Sequence, residues 1–247
     1  MKSAYDRRIA RAQELAVQFP QSSTVLDFYR RIALLQKSIF EGLAARADTD
    51  VRTVLRHLPA LTGLVETHGP ARLAEHADAD LGNRIVAFWD SGAKTAGIGS
   101  EPLFFARALL QPYAEWLATR GNPQRQTQEA ACPFCGGRPV AGVLRGEGDG
   151  AKRSLICSLC ATEWQYRRIV CPNCGEQNKD QLPVYTAAGI DYIRVEACDV
   201  CKTYIKSVDL TRNGHAIPTV DELATVALNI WADEHGYVKL ETNLLGM

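Results

Sequence analysis

The eight cysteines of this chain form four C-x-x-C pairs: Cys132/Cys135, Cys157/Cys160, Cys171/Cys174 and Cys198/Cys201. None lies in the first 131 of the 247 residues. Disulfide frameworks suit small secreted domains, whereas paired thiolates confined to one half of a cytosolic chain read as metal ligands or redox centres. Four separate thioredoxin-like redox motifs would need a βαβ context, which the pattern around these pairs lacks.

The spacing also indicates which pairs share an ion. Between Cys160 and Cys171 runs ATEWQYRRIV, with no Gly, Pro, Asn or Asp to turn it. Its β-branched and aromatic content predicts a strand with Trp164 and Tyr166 on one face. Ten residues of strand separate their ends by roughly 30 Å. Four sulfurs on one ion lie within about 4 Å of each other, given a bond of about 2.3 Å. One ion therefore cannot hold all four cysteines that flank this run. The other gaps contain turns: GEGDG between Cys135 and Cys157, and Gly189 between Cys174 and Cys198. Each is expected to form a hairpin returning the second pair to the first. The expected sites are Cys132, Cys135, Cys157 and Cys160, then Cys171, Cys174, Cys198 and Cys201.

An internal repeat supports the grouping. Each unit opens with C-P-x-C-G and closes with C-x-x-C followed two residues later by threonine, and the openings are 39 residues apart. Glycine after each opening pair permits the tight turn that aims amides at sulfur. The closing pairs carry Ala161 and Lys202 there, so their turns are expected to differ slightly. Units this small lack a sufficient apolar core, and structural metal binding supplies on the order of 10 kcal/mol. Tetrahedral ligation by four sulfurs suits zinc or a single iron, and the sequence does not separate them.

The elements that position these pairs begin with a helical stretch. Val25, Phe28, Ile32, Leu35, Ile39 and Leu43 recur at helical steps, with Arg30, Arg31, Gln36 and Lys37 on the other side. Further helices are expected over roughly 4–18, 50–67, 70–78, 82–90 and 101–119, the last with Ser100 as N-cap and Pro102 in its first turn. Pro112 is expected to kink or split it. Phe104, Phe105, Tyr113 and Trp116 read as core packing, and His57, His68 and His76 lack metal-like spacing. Residues 121–129 read as a linker. Near the end, Thr219 and Glu222 have the form of a capping box. The helix behind them places Leu223, Val226, Ala227, Ile230 and Trp231 on one side, stops at Gly236 and is expected to cover an apolar face.

Composition narrows the function classes. Lys plus Arg equals Asp plus Glu at 28 each, with 46% hydrophobic residues. The first residues lack the apolar run of a signal peptide, and no stretch approaches the roughly 18 apolar residues of a spanning helix, so a soluble cytoplasmic protein is expected. From Cys132 to Ile217 stand eleven Lys/Arg and nine Asp/Glu. Two divalent ions and eight thiolates bring that region to about −2, which opposes nucleic-acid binding by a zinc-ribbon protein. No Ser/His/Asp set, phosphate loop or HExxH helix is present, and four-cysteine sites leave no open position for catalysis, so no enzyme is expected. A two-site rubredoxin-like electron carrier is the alternative.

The segments CPFCGGRPV, LICSLCATEWQYRRIVCPNCG, EACDVCKTYIKSVDL and DELATVALNIWADEHGY closely resemble the formate dehydrogenase accessory (formation) protein family, FdhE. AYDRRIARAQELA through FYRRIALLQKSIF looks like that family's first helices. The resemblance covers nearly the whole chain, is most specific from Cys132 to Tyr237, and is loose over residues 47 to 120. It implies a multidomain α and β fold: an all-α domain over 1–125, a first rubredoxin-like (zinc-ribbon-like) four-cysteine module over 130–168, and a second over 169–247 with the C-terminal helix. It further implies a non-enzymatic cytoplasmic maturation factor, a chaperone of formate dehydrogenase that binds the catalytic subunit. The eight cysteines would then hold two metal ions, with iron favoured by the resemblance and zinc as the alternative.

Overall fold

The computed structural model describes residues 3–46, 50–92, 98–121, 129–148 and 150–247. Helices α1 (Ala4–Gln18), α2 (Ser23–Arg46), α3 (Leu58–His68), α4 (Ala71–Ala74), α5 (Leu81–Asp90) and α6 (Ser100–Arg120) precede the sheet. Ser3 and Asp6 close a reciprocal capping box at the start of α1. On α2 the expected stripe is core at Phe28, Ile32, Ile39 and Leu43. Gln36, expected on the outer side, is buried as well, because its amide donates to the Ala108 carbonyl and to Gln111 on α6.

Helix α6 is the centre of the helical region, with Phe104, Phe105, Tyr113 and Trp116 all buried. It runs as one helix through Pro112 rather than splitting there. Its N-cap is Gly99, not Ser100, whose hydroxyl bonds Glu101 instead. The linker expectation falls mostly on 122–128, outside the described residues.

The cysteine half is built on one seven-stranded sheet. Its strands are β1 (Pro139–Glu147), β2 (Gly150–Cys157), β3 (Glu163–Gln165), β4 (Val184–Thr186), β5 (Ile193–Ala197), β6 (Thr203–Asp209) and β7 (Val238–Lys239). The expected hairpins are the antiparallel pairs β1–β2 and β4–β5. The strand order is β3-β2-β1-β6-β5-β4, so the two cysteine units meet where β1 and β6 pair in parallel. At that junction Gly142 faces Ser207, and a Cβ on Gly142 would lie 2.1 Å from Ser207 Oγ. Only glycine allows the strands to approach this closely.

The run after Cys160 is strand for only three residues. Beyond Tyr166, side chains replace the ladder: Arg153 donates to the Arg167 carbonyl, and Arg168 reaches the Ala151 carbonyl. Trp164 and Tyr166 are both buried, as a shared face requires.

The C-terminal helical segment also departs from its sequence pattern. It breaks at Thr225 into α7 (Pro218–Ala224) and α8 (Val226–Glu234). Ile217 is the N-cap, and Asp221 rather than the Thr219–Glu222 pair accepts the Ile217 N–H. Glu222 turns inward instead. The break re-aims α8, so Leu228 and Ala232 are buried while Ile230 is 56% exposed. Leu228 and Ala232 cover an apolar cluster with Tyr192, Ile193, Val195 and Val208. Gly236 follows the end of α8, its N–H donating to Asp233.

Candidate metal centres

Each cysteine pair sits in the same backbone device. The N–H of the first cysteine donates to the carbonyl five residues on: Cys132 to Gly137, Cys157 to Thr162, Cys171 to Glu176 and Cys198 to Thr203, at 2.8–3.0 Å. The residue after the second cysteine is left-handed in all four: Gly136, Ala161, Gly175 and Lys202, with φ of 73°, 53°, 80° and 52°. The opening and closing turns differ slightly, as expected: φ is 73–80° at the two glycines and 52–53° at Ala161 and Lys202. In the opening turns the Gly136 and Gly175 N–H groups also donate to the Cys132 and Cys171 carbonyls, while the shared hydrogen bond keeps all four residues left-handed. Amides of Leu159 and Asn173 point at Cys157 Sγ and Cys171 Sγ, both at 3.4 Å.

The structure brings the eight sulfurs into two groups, Cys132/Cys135/Cys157/Cys160 and Cys171/Cys174/Cys198/Cys201, each with its ligand atoms within 4.8 Å of one another. In the first, Sγ–Sγ contacts are 3.5 Å for Cys132–Cys160, 3.3 Å for Cys135–Cys157 and 3.5 Å for Cys135–Cys160. In the second they are 3.6 Å for Cys171–Cys201 and 3.7 Å for Cys174–Cys198. A tetrahedral ion with bonds of about 2.3 Å needs sulfurs about 3.8 Å apart. Both groups fit such an ion with little movement. His57, His68 and His76 belong to neither: His76 bonds the Arg72 carbonyl, while His57 and His68 lie against arginines.

The electrostatics match the geometry. Hydrogen bonds from Cys135, Cys157 and Cys160 hold the Cys132 thiol well below its ordinary range, while bonding to Cys132 pushes Cys157 and Cys160 up. In the second group burial raises Cys198 to about 12. Burial also opposes ionisation of Cys201, but hydrogen bonds from Thr203 and Asn173 draw it down to about 6. Sulfurs this close cannot all lose their protons without a cation to compensate them.

Several contributors were not assigned from sequence. Thr162 Oγ1 lies 3.1 Å from Cys160 Sγ, and Thr203 Oγ1 3.0 Å from Cys201 Sγ. Their signal was the threonine repeated after each closing pair. Gly137 has a second role, since a Cβ there would lie 3.1 Å from Cys157 Sγ and 3.3 Å from Cys135 Sγ. A groove beside Cys171 and Cys198 carries Arg153, Arg168 and Arg194 with one carboxylate, Glu196. Glu196 accepts from both Arg153 and Arg194. No sequence motif marks the Arg153–Glu196–Arg194 triplet, because Arg153 comes from β2 while Arg194 and Glu196 stand two apart on β5.

Residues 131–168 match the family model described as FdhE, central domain, and residues 157–245 match FdhE, C-terminal domain. A Protein FdhE homolog of Aquifex aeolicus is 29% identical over 94% of this chain and 92% of its own length. The Protein FdhE homolog of Pseudomonas aeruginosa is 35% identical over 58% of this chain, and the match spans 48% of that relative. The crystal structure of the FdhE protein from Pseudomonas aeruginosa shares the fold, with a TM-score of 0.76 at 24% identity, over 99% of this chain and 97% of that one. With its two FdhE domains in order and a relative aligned along nearly its full length, the chain belongs to the FdhE family.

Proposed function

We propose that this chain is a cytoplasmic accessory factor for making active formate dehydrogenase, holding one ion in each four-cysteine group and docking on the catalytic subunit through the metal-bearing half. The observation that carries this reading is a pair of four-sulfur groups of tetrahedral dimensions in an FdhE chain. Cys132, Cys135, Cys157 and Cys160 would hold one ion, and Cys171, Cys174, Cys198 and Cys201 the other. The ions would supply fold stabilisation and, as iron, a one-electron centre. Iron is favoured by family, and zinc suits the same sulfurs. With four cysteines committed at each site, neither keeps an open position for substrate, which supports a non-enzymatic role.

Surface chemistry supports docking on this half. Of the seven large apolar residues exposed among the described residues, five lie between 169 and 238: Ile169, Val184, Val200, Ile230 and Val238. Among the described residues, no helix is long and apolar enough to cross a membrane.

The test is recovery of the tagged chain from anaerobically grown cells without exposure to oxygen, followed by metal analysis and identification of bound proteins. The expected result is two ions per chain and co-recovery of a formate dehydrogenase catalytic subunit. Its absence from the wild-type eluate overturns the proposal. Reversible redox colour with no client would favour the electron-carrier alternative.

A further inference from the structure

The two sulfur groups share one backbone device but not one setting. Cys132, Cys157 and Cys160 are 4%, 2% and 3% exposed and belong to the same apolar core as α2 and α6, with Cys135 half-buried against it. In the second group Cys171 and Cys198 are buried, Cys201 is half-buried and Cys174 is exposed. None of these four belongs to either apolar core. Val200, inside the closing turn, is 57% exposed.

We infer that the second group is an exchange centre, where an external sulfur donor reaches the ion through Cys174, while the first group is a closed structural staple. The inference rests on the metal-binding reading proposed above. Replacing a ligand requires the incoming atom to approach the ion. At the first group that means opening the core shared with the helices, whereas at Cys174 it requires no such opening. In the exchange, Cys174 releases its sulfur–metal bond while the incoming thiolate forms one with its own electron pair. Cys174 then takes a proton from water or buffer. The oxidation state of the ion does not change. A thiolate is the donor class indicated, because it is soft enough for a sulfur-bound ion; the arginine-bearing groove borders the same group at Cys171 and Cys198.

The full chain loaded with two zinc ions is challenged with a chelating dye, pyridylazoresorcinol, and in parallel with brief iodoacetamide followed by peptide mapping. One ion should leave in a fast phase and the other at least about tenfold more slowly. Alkylation should begin at Cys174. A pulse of a small dithiol should accelerate the fast phase alone. Cys174→Ser should abolish the fast phase and leave the slow one unchanged, with circular dichroism reporting the fold. Loss of both ions at one rate, or first alkylation at Cys132 or Cys135, overturns the inference on the unmodified protein, whether or not the variant folds. A chain that retains no zinc before the challenge overturns the metal reading itself, a result distinct from equal release.

Discussion

Ala161 and Lys202 hold the left-handed backbone that Gly136 and Gly175 adopt without a Cβ. An L-residue pays roughly 1–2 kcal/mol for that conformation, so the closing turns are strained where the opening turns are not. Gly136 isolates the backbone effect, because a Cβ there would meet nothing within 4 Å. Gly136→Ala should therefore lower the stability of the metal-loaded chain by about 1 kcal/mol. Ala161→Gly should leave stability unchanged or raise it, since relief of strain offsets the greater freedom of the unfolded chain. Ala161→Val should cost more than Gly136→Ala, because β-branched residues tolerate this region worst. Thermal unfolding of the three variants checks the order, and a clear loss of stability in Ala161→Gly would contradict it.

At the scale of elements, the joint between β1 and β6 unites the two cysteine units. Gly142→Ala should cost about 1–3 kcal/mol, as overpacking does in a tight interior. Ser207→Ala removes the oxygen that such a Cβ would strike at 2.1 Å but leaves Ser207 Cβ at 3.1 Å. The double variant should recover part of the loss, and denaturant melts of the four-member cycle measure the coupling; strict additivity would mean that the joint relaxes elsewhere. The parallel pairing was not legible in the sequence, because Gly142 resembles any glycine in a strand and its partner lies 65 positions away. Most helices and both hairpins were legible, since periodicity and turn residues are local signals. The expected helix over 50–67 instead begins as a 3-10 turn over Val51–His57, and the one over 70–78 is α-helical only over Ala71–Ala74. The break at Thr225 was not. Its hydroxyl and carbonyl accept from the buried ammonium of Lys206 on β6, a demand invisible within the helix's own residues. The cysteine grouping was legible because the turns between paired motifs limit which sulfurs can meet.

Across the whole molecule, buried charges hold the helices, the sheet and the C-terminal residues together. Arg11 on α1 pairs with Asp221 on α7, which also accepts from Tyr192. Arg107 on α6 pairs with Glu241. At the centre Glu222 receives Lys206 at 3.0 Å, Lys239, and the Asn243 amide at 2.9 Å, with Glu222 and Lys206 fully buried. In sequence Glu222 was indistinguishable from a capping residue, because a carboxylate three residues into a helix has the same pattern wherever it points. Removing its charge leaves two ammonium groups without their shared carboxylate, so Glu222→Gln should cost about 3–5 kcal/mol. Lys206→Met leaves Glu222 paired with Lys239 and Asn243, and should cost only about 1–2 kcal/mol for the carbonyls it no longer serves. Burial alone would raise the Glu222 carboxyl, but Lys206 and Lys239 outweigh it and hold it at about 2 against an ordinary 4.5. A carboxyl lowered by folding stabilises fully above its unfolded value, and that stabilisation is lost as pH falls toward the folded one. The gap between wild type and Glu222→Gln should therefore be widest near neutral pH and narrow as pH drops below about 4.5. Loss of metal in acid weakens both proteins alike and leaves the difference interpretable. Paired denaturant melts at neutral pH and near pH 4 measure it. A gap that stays constant or widens in acid would show that Glu222 is not the anion on which these elements converge.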